Sequence, residues 1–165
     1  MTHIYLPAAF SLHPFFQWCD STAVGEAIRD SRVIFPIVES IHLLALTVLL
    51  GSILVLNLRL LGSGLRSQQV ESVAKSLAPL TFWSLLTMLV SGALLFCSEA
   101  LKCYENPPFW AKMEMLAAAI VFQYTFVRYA ARSARAKRPQ HILAACGSLA
   151  LWFGVAAAGR AIGFY

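Results

Sequence analysis

Residues 33–60 read VIFPIVESIHLLALTVLLGSILVLNLRL, and this stretch decides the class of fold. A membrane-spanning helix needs about 20 mostly apolar residues to cross a hydrocarbon core of about 30 Å, and this stretch is longer than that. His42 lies nine residues inside it, with Glu39 one helical turn earlier. A charged group at the centre of a span costs roughly 2.5–3.5 kcal/mol, so such residues usually line a cavity, pair or hold a ligand. We therefore expect the functional site of the protein to lie around His42.

The composition of the whole chain favours a membrane protein. Of its 165 residues 59% are hydrophobic and only 13% are charged, and the mean hydropathy is +0.68. A soluble domain of this length cannot cover so much apolar surface with polar side chains. The length suits one domain, residues 1–165. No basic segment precedes the first apolar residues, so we expect no cleavable signal peptide.

Four stretches are long and apolar enough to be spans, at about 33–60, 77–101, 108–131 and 141–164. They predict an all-α integral membrane four-helix bundle. Residues 14–31 differ, with aromatic residues first and then a short amphipathic pattern that Asp20, Ser21 or Thr22 would cap. This pattern predicts an interfacial amphipathic helix on the outer membrane surface. A disordered tail is the alternative.

The basic residues predict the orientation of the spans. Eight of the thirteen lie in or beside the loops after the first and third spans, where Glu71 is the single acid: Arg59, Arg66, Lys75, Arg128, Arg132, Arg135, Lys137 and Arg138. Short loops rich in Lys and Arg remain in the cytoplasm. We therefore expect both termini in the periplasm and the chain in a bacterial inner membrane. The basic residues follow topology and do not interleave with aromatic residues, so we expect no nucleic-acid partner.

Each span places an ionisable residue in the outer half of the membrane. His42 lies about 13 Å below the outer boundary at a helical rise of 1.5 Å per residue. Lys112 lies in the outer third of the third span, Glu99 ends the second span, and Arg160 lies near the outer end of the fourth. Such clustering predicts a site between the helices at this depth.

A neutral imidazole between helices is a suitable axial ligand for haem iron. His42 is therefore the predicted metal ligand, and Glu39, three residues earlier, would either accept the proton of its second ring nitrogen or face water. Lys112 and Arg160 would lie near the haem edge or propionates, and Lys112, Met88 and Met115 are candidates for a second ligand. His141 begins the fourth span about 20 Å away along the membrane normal, which disfavours two histidine ligands in one chain.

Two other interpretations stay open from the residues alone. A histidine in a span also forms ordinary interhelical hydrogen bonds, so the polar cluster would then only specify packing in a structural subunit. The second interpretation is a transport-associated protein that handles copper with His42 and methionines, although the outer loops lack the Met- and His-rich pattern that suits copper. The cysteines Cys19, Cys97, Cys103 and Cys146 have no zinc spacing. A Cys19–Cys103 disulfide and unpaired apolar fillers are both compatible with their positions.

Several segments resemble an uncharacterised family of small bacterial four-helix membrane proteins. They are Ala27-Ile-Arg-Asp-Ser31, Phe35-Pro-Ile-Val-Glu-Ser-Ile-His42, Gly51, Leu58-Arg-Leu-Leu-Gly62, Asn106-Pro-Pro-Phe-Trp-Ala-Lys112 and Trp152-Phe-Gly-Val-Ala-Ala-Ala-Gly-Arg-Ala-Ile-Gly163. This chain has Asn57 where that family commonly has an acid. More distantly, the histidine of the first helix and the Phe/Trp-x-Lys of the third are similar to HemJ-type protoporphyrinogen oxidase and to CopD-type membrane domains.

The HemJ-type resemblance implies a haem-binding role for His42 and Lys112, the positions that match. Together these observations predict a b-type haem protein that transfers electrons near the periplasmic face. A quinone or a periplasmic redox protein would be the partner, besides the lipid bilayer. An oxidoreductase activity and assembly into a homo-oligomer or a larger membrane complex are both left open.

Overall fold

The computed structural model describes residues 12–65, 67–133 and 137–164, and within these ranges the chain is helical with no β-strand. The prediction that the first residues form no cleavable signal peptide lies outside the described residues. The helices are α1 His13–Asp20, α2 Ala23–Asp30, α3 Ile34–Leu60, α4 Val70–Ser98, α5 Ala100–Tyr104, α6 Pro107–Phe122, α7 Arg128–Arg132 and α8 Arg138–Ile162.

Three of these helices are long and apolar enough to cross a membrane. The helices α3, α4 and α8 contain 27, 29 and 25 residues, so each exceeds the 20 or so residues that a bilayer requires. Large apolar side chains also lie on the outer surface of the protein, such as Leu44 at 67% exposure and Trp83 at 63%. Water would disfavour such a surface, whereas lipid accepts it. The predicted membrane class is therefore confirmed.

The third predicted span, 108–131, has a different form. Helix α6 continues through a π-helical turn, Gln123–Val127, directly into α7, so residues 107–132 are helical without a break. Within the turn, the Thr125 hydroxyl donates a hydrogen bond of 2.6 Å to the Val121 carbonyl. Such back-bonding competes with the backbone ladder and bends helices. A π turn accommodates one extra residue, a feature that an apolar profile does not reveal.

The second predicted span begins earlier than expected. Helix α4 starts at Val70 rather than near residue 77 and contains Pro79, and it ends at Ser98, where Glu99 leaves the helical conformation. The first turns are polar, so hydropathy does not register them, although Glu71 in the first turn favours a helix N-terminus. The predicted position of Glu99 at the end of this helix is confirmed.

The segment before the first span forms two short helices instead of one helix over 14–31. They are separated at Ser21 and Thr22, where the Thr22 side chain accepts a hydrogen bond from the Gly25 backbone N–H at 3.2 Å and caps α2. The Arg29 guanidinium bonds Asp20 at 3.0 Å and the Ser98 carbonyl at 3.2 Å. These bonds attach α1 and α2 to the end of α4, and α1 also packs against α5.

Helix packing forms two apolar clusters along the long helices. Helix α3 packs along α4 and contacts α8, while α8 packs along α6 and α7 contacts α4. We call the end of these helices nearest His42 the His42 end, and the opposite end the Arg128 end. The cluster nearer the His42 end contains buried residues of α3, α4, α6 and α8, namely Ala45, Leu49, Ile53, Leu85, Met88, Leu116, Ala119, Trp152 and Val155.

Aromatic side chains cover the His42 end. The buried ring of Phe16 on α1 lies with its centroid 5.1 Å from the ring centroids of Phe96 and Tyr104 and 5.6 Å from that of Trp110. These distances are typical of edge-to-face or tilted aromatic packing. We call the group formed by these four rings, Cys19 and Ala100 the aromatic cap.

Replacing Gly25 with alanine tests the attachment of α2 to α4. A methyl group at Gly25 would collide with the Cys97 backbone carbonyl, which cannot move aside as a flexible side chain does. Overpacking of this kind costs about 1–3 kcal/mol. We expect Gly25→Ala to lower the thermal unfolding temperature of the detergent-purified protein by several degrees.

The matched control is Gly51→Ala, because nothing lies within 4 Å of a methyl group at that position. Alanine also favours a helix over glycine by about 1 kcal/mol. Gly51→Ala should leave the unfolding temperature unchanged or raise it. Equal unfolding temperatures for the Gly25→Ala variant and the original protein would contradict the described packing of α2.

Candidate functional site

His42 is bound to the neighbouring helix by a side-chain hydrogen bond. Its ring nitrogen Nδ1 lies 3.0 Å from Oγ of Ser91 on α4, and Ser91 is only 5% exposed. The Ser91 hydroxyl donates its own proton to the Thr87 carbonyl at 2.6 Å. The serine oxygen is therefore available as an acceptor, and this arrangement favours the tautomer of His42 that carries its proton on Nδ1.

The second ring nitrogen of His42 is left with its lone pair. Ser91 Oγ also lies 3.3 Å from the Met88 carbonyl, so the serine is hydrogen-bonded within its own helix as well as to the ring. No other hydrogen-bond partner of the ring occurs among the described residues. Neutral imidazole with Nδ1 protonated and Nε2 free is the form that binds a metal or accepts a proton.

A glycine allows the His42 ring to lie against α4. A Cβ atom at Gly92 would come within 3.1 Å of ring atom Cε1 and 3.6 Å of Nδ1, so a side chain there would push the ring aside by a few tenths of an ångström. The ring is therefore held by a hydrogen bond at Nδ1 and by close packing of Cε1 against Gly92. This restriction orients Nε2.

Lys112 lies in the same region and acts electrostatically on His42 and on Cys103. Its partly buried side chain crosses from α6 to α8, where a Cβ atom at Gly159 would lie 3.6 Å from Nζ. Among the described residues, no hydrogen-bond acceptor or carboxylate pairs with its amine. The structure thus places His42 and Lys112 at the same end of the helices, and the amine is available to an anionic group.

The other two predicted site residues lie apart from this pair. Glu39 is exposed, and Ser91 occupies the hydrogen-bonding position beside His42 for which Glu39 was the candidate. Arg160 is also exposed, and its guanidinium carbon lies 4.8 Å from the centroid of the Phe164 ring, a cation–π contact. The candidate site therefore centres on His42 and Lys112, with Glu39 and Arg160 at its periphery.

Two methionines lie on the same helices as Ser91 and Lys112. Met88 is buried in the apolar cluster, and Sδ of Met115 would lie 2.7 Å from a Cβ atom at Gly154. Trp152 in the same cluster is 1% exposed, and its indole N–H has no acceptor among the described residues. No group of three His, Cys, Asp or Glu side chains suited to a metal ion occurs in that part of the chain.

Comparison with known proteins identifies the family of the chain. A family model described as a family of unknown function, DUF6644, matches residues 15–165. The chain belongs to this family. No curated protein and no solved structure matches it. The predicted membership of an uncharacterised family is thus confirmed, whereas the distant similarity to HemJ-type and CopD-type proteins stays a prediction.

Three cysteines of the DUF6644 chain lie at or beside the aromatic cap, and all four described cysteines are free thiols. The thiol neighbour of Cys19 is Cys97 rather than Cys103, so the considered Cys19–Cys103 disulfide is absent from the structure. Burial raises the pKa of Cys19, and the adjacent Cys97 thiol raises it further. Burial also raises the pKa of Cys103 to about 11, with a smaller contribution from the Glu99 carboxylate.

Sequence reasoning did not find a chain of buried polar groups toward the Arg128 end. The Asn57 amide donates to Ser148 Oγ at 3.0 Å, and the Ser148 hydroxyl donates to Gln123 Oε1 at 3.1 Å. Asn57 is 1% exposed, and its Oδ1 has no partner among the described residues. Asn57, Gln123 and Ser148 are polar residues inside apolar spans, which indicates that each needs a partner. Their positions along the spans do not show that they contact one another.

The pH dependence of alkylation tests the environment of Cys103 in the DUF6644 protein. The thiolate is the reactive form, so a pKa near 11 keeps this thiol protonated at pH 9. In a variant with Cys19, Cys97 and Cys146 changed to serine, we expect the alkylation rate to rise about tenfold per pH unit through pH 10. A plateau near pH 9 would show an ordinary thiol.

The same shift has a consequence for stability. Because the folded state holds the Cys103 proton more tightly than the unfolded state, the contribution of this thiol to the free energy of unfolding is present below pH 9 and is lost between pH 9 and about pH 11.

The control for the alkylation series is the same variant unfolded in sodium dodecyl sulfate, for which the alkylation rate should level off near pH 9.

Proposed function

We propose that this protein is a membrane-embedded b-type haem protein in which Nε2 of His42 is an axial ligand of the iron. The observation that carries the proposal is the hydrogen bond from His42 Nδ1 to Ser91 Oγ at 3.0 Å. Because the Ser91 hydroxyl donates to the Thr87 carbonyl, this contact favours the tautomer in which Nε2 keeps its lone pair. Histidines that bind metals generally donate the other ring proton in this way, to a backbone carbonyl, carboxylate or water.

The donor set of this region fits a haem better than a bare metal ion. A bare ion needs several side chains, and the described residues contain no cluster of three suitable ones. The porphyrin itself provides four nitrogen ligands, so a haem needs only one or two from the protein. His42 meets that requirement, and Lys112 and Met115 on α6 are candidates for the second position.

Lys112 has a second proposed role as the cationic partner of a haem propionate. Its amine has no anionic partner among the described residues, and the bundle interior strengthens an ion pair once one forms. Arg160 lies near the same end of α8, where it would meet a propionate at the surface. A bound haem b supplies a one-electron iron couple, for exchange with a quinone or a redox protein outside the membrane.

The proposal includes an arrangement of the chain in the membrane. We infer that residues 107–132 form the fourth span beside α3, α4 and α8, since this helical segment is of similar length and packs against α8. The basic residues concentrate at the Arg128 end, which the positive-inside rule assigns to the cytoplasm. Both termini and the His42 end would then face the periplasm of a bacterial inner membrane.

Single-cysteine labelling tests this orientation in intact cells. In a background without native cysteines, Glu105→Cys lies at the His42 end and Ser67→Cys lies in the loop between α3 and α4, and both positions are exposed. We expect a membrane-impermeant maleimide to label Glu105→Cys only. Labelling of Ser67→Cys alone would show the reverse orientation. Labelling of both positions in intact cells, or of neither, would refute four spans. Labelling after cell lysis is the control that each cysteine can react.

Absorption spectroscopy tests the haem. We expect detergent-purified protein, produced with added haem precursor, to show a Soret band and reduced α and β bands after dithionite. His42→Gln keeps a side-chain N–H for Ser91 but removes the imidazole ligand, so it should lose at least 90% of the haem per chain. The unfolding temperature of this variant without haem checks that it still folds.

The matched control is His141→Gln, which removes a histidine at the Arg128 end. His141 is partly buried and bonds the Ala130 carbonyl at 3.0 Å, far from the proposed site along the helices. It should retain the haem bands. Equal loss in both variants, or a folded protein without any haem band, would refute the proposal.

A structural role is the second candidate, because the His42–Ser91 bond joins α3 to α4 directly. Interhelical hydrogen bonds in membranes contribute about 0.6–1.7 kcal/mol. Under this interpretation the purified protein is colourless, and Ser91→Ala lowers the unfolding temperature as much as His42→Ala does. Colourless protein that binds Cu(I) through His42 would instead indicate the copper-handling alternative.

A further inference from the structure

A cleft of about 80 Å³ lies at the Arg128 end of the protein, between α3, α4 and the π turn that leads into α7. Leu56 on α3 lies fourteen residues after His42, which is about 21 Å along the helix. The cleft is therefore separate from the His42 site. Its apolar lining includes Leu56, Ala74, Leu77 and Ala78.

Local geometry explains why space remains here. The π turn widens the helix by one residue per turn at the point where α7 meets α4. Alanine occupies the facing positions Ala74 and Ala78 on α4 and Ala131 on α7, so no large side chain fills the gap. π turns of this kind frequently occur at functional sites.

The polar lining of the cleft is rich in hydrogen-bond donors. Arg128 and Arg132 line it, both are exposed, and neither forms a hydrogen bond or ion pair with another described residue. Gln123 Oε1 already accepts from Ser148, so its amide N–H groups remain for a ligand. Among the residues that the structure describes, none that lines the cleft is acidic. A ligand that suits this lining is an anion with several acceptor oxygens.

We propose that the cleft binds an anionic phospholipid, with the phosphate between Arg128 and Arg132 and part of an acyl chain against Leu77 and Ala78. The charge favours an anionic over a zwitterionic headgroup, because no carboxylate of the described part of the chain pairs with the two guanidinium groups. The apolar lining favours a lipid over free phosphate, because a soluble anion would contact only the arginines. Helix α4 is itself a membrane-spanning candidate, so acyl chains have direct access to this lining.

Native mass spectrometry of the full-length protein tests this site. The probes are dioleoyl phosphatidylglycerol, dioleoyl phosphatidylcholine with the same acyl chains, and inorganic phosphate. We expect one retained phosphatidylglycerol per chain and at least fivefold less phosphatidylcholine at equal concentration. Inorganic phosphate in tenfold excess should displace less than half of the bound phosphatidylglycerol.

Variants separate the two parts of the proposed site. The Arg128→Gln, Arg132→Gln double variant should retain at least fivefold less phosphatidylglycerol. Ala78→Phe adds a ring at an exposed position that lines the cleft, so it should reduce lipid retention without changing charge. The matched control is Lys137→Gln, Arg138→Gln, which removes two positive charges at the start of α8 outside the cleft and should stay within twofold of the original protein.

Other outcomes would overturn the proposal. Equal losses in the two double variants would indicate a diffuse charge effect instead of a site. Full displacement by inorganic phosphate would indicate a small-anion site, and equal retention of both lipids a neutral ligand such as a quinone. Because none of these measurements involves haem, they are independent of the proposed function at His42.

Discussion

Polar side chains within the helices of this protein need partners inside the protein, because hydrocarbon provides none. The structure meets this constraint with hydrogen bonds between helices. His42 bonds Ser91 between α3 and α4, and the Thr81 hydroxyl bonds Ser52 between the same helices at 3.2 Å. Asn57 and Ser148 connect α3 to α8. The apolar clusters determine that the helices associate, and these bonds determine how they are aligned.

The same constraint gives the His42 site its character. The Ser91 hydroxyl donates its proton to the Thr87 carbonyl, so its oxygen can accept a hydrogen bond from His42. This arrangement favours a proton on Nδ1 of His42 and leaves Nε2 free. Gly92 lets the His42 ring pack closely against α4, and the Lys112 side chain lies beside Gly159 on α8. The groups that remain unpaired in this region are therefore positioned by their surroundings, which is the usual condition for binding a cofactor.

Hydropathy predicted α3, α4 and α8 because their apolar runs are long, and the depth of each residue predicted that His42 and Lys112 share one half of the protein. Depth does not give rotation about the helix axis, so it did not distinguish Glu39 from Ser91 as the partner of His42. The break at Thr22 divides the predicted interfacial helix, although threonine was among the candidate caps. The early start of α4 was missed because its first turns are polar. These differences all depend on local backbone geometry or side-chain direction, which an apolar profile does not contain.

The π turn at Gln123–Val127 determines how the helix around Arg128 is rotated relative to the helix around Lys112. Upstream of it, α6 directs Lys112 toward α8, and downstream of it Arg128 lines the cleft. One residue of an α-helix corresponds to a rotation of about 100°. Winding the same residues as a regular α-helix would rotate everything downstream by that angle, which would turn Arg128 away from α4 and leave Lys112 in place. The extra residue in the π turn thus sets the rotation of the helix downstream, so that Lys112 faces α8 while Arg128 lines the cleft.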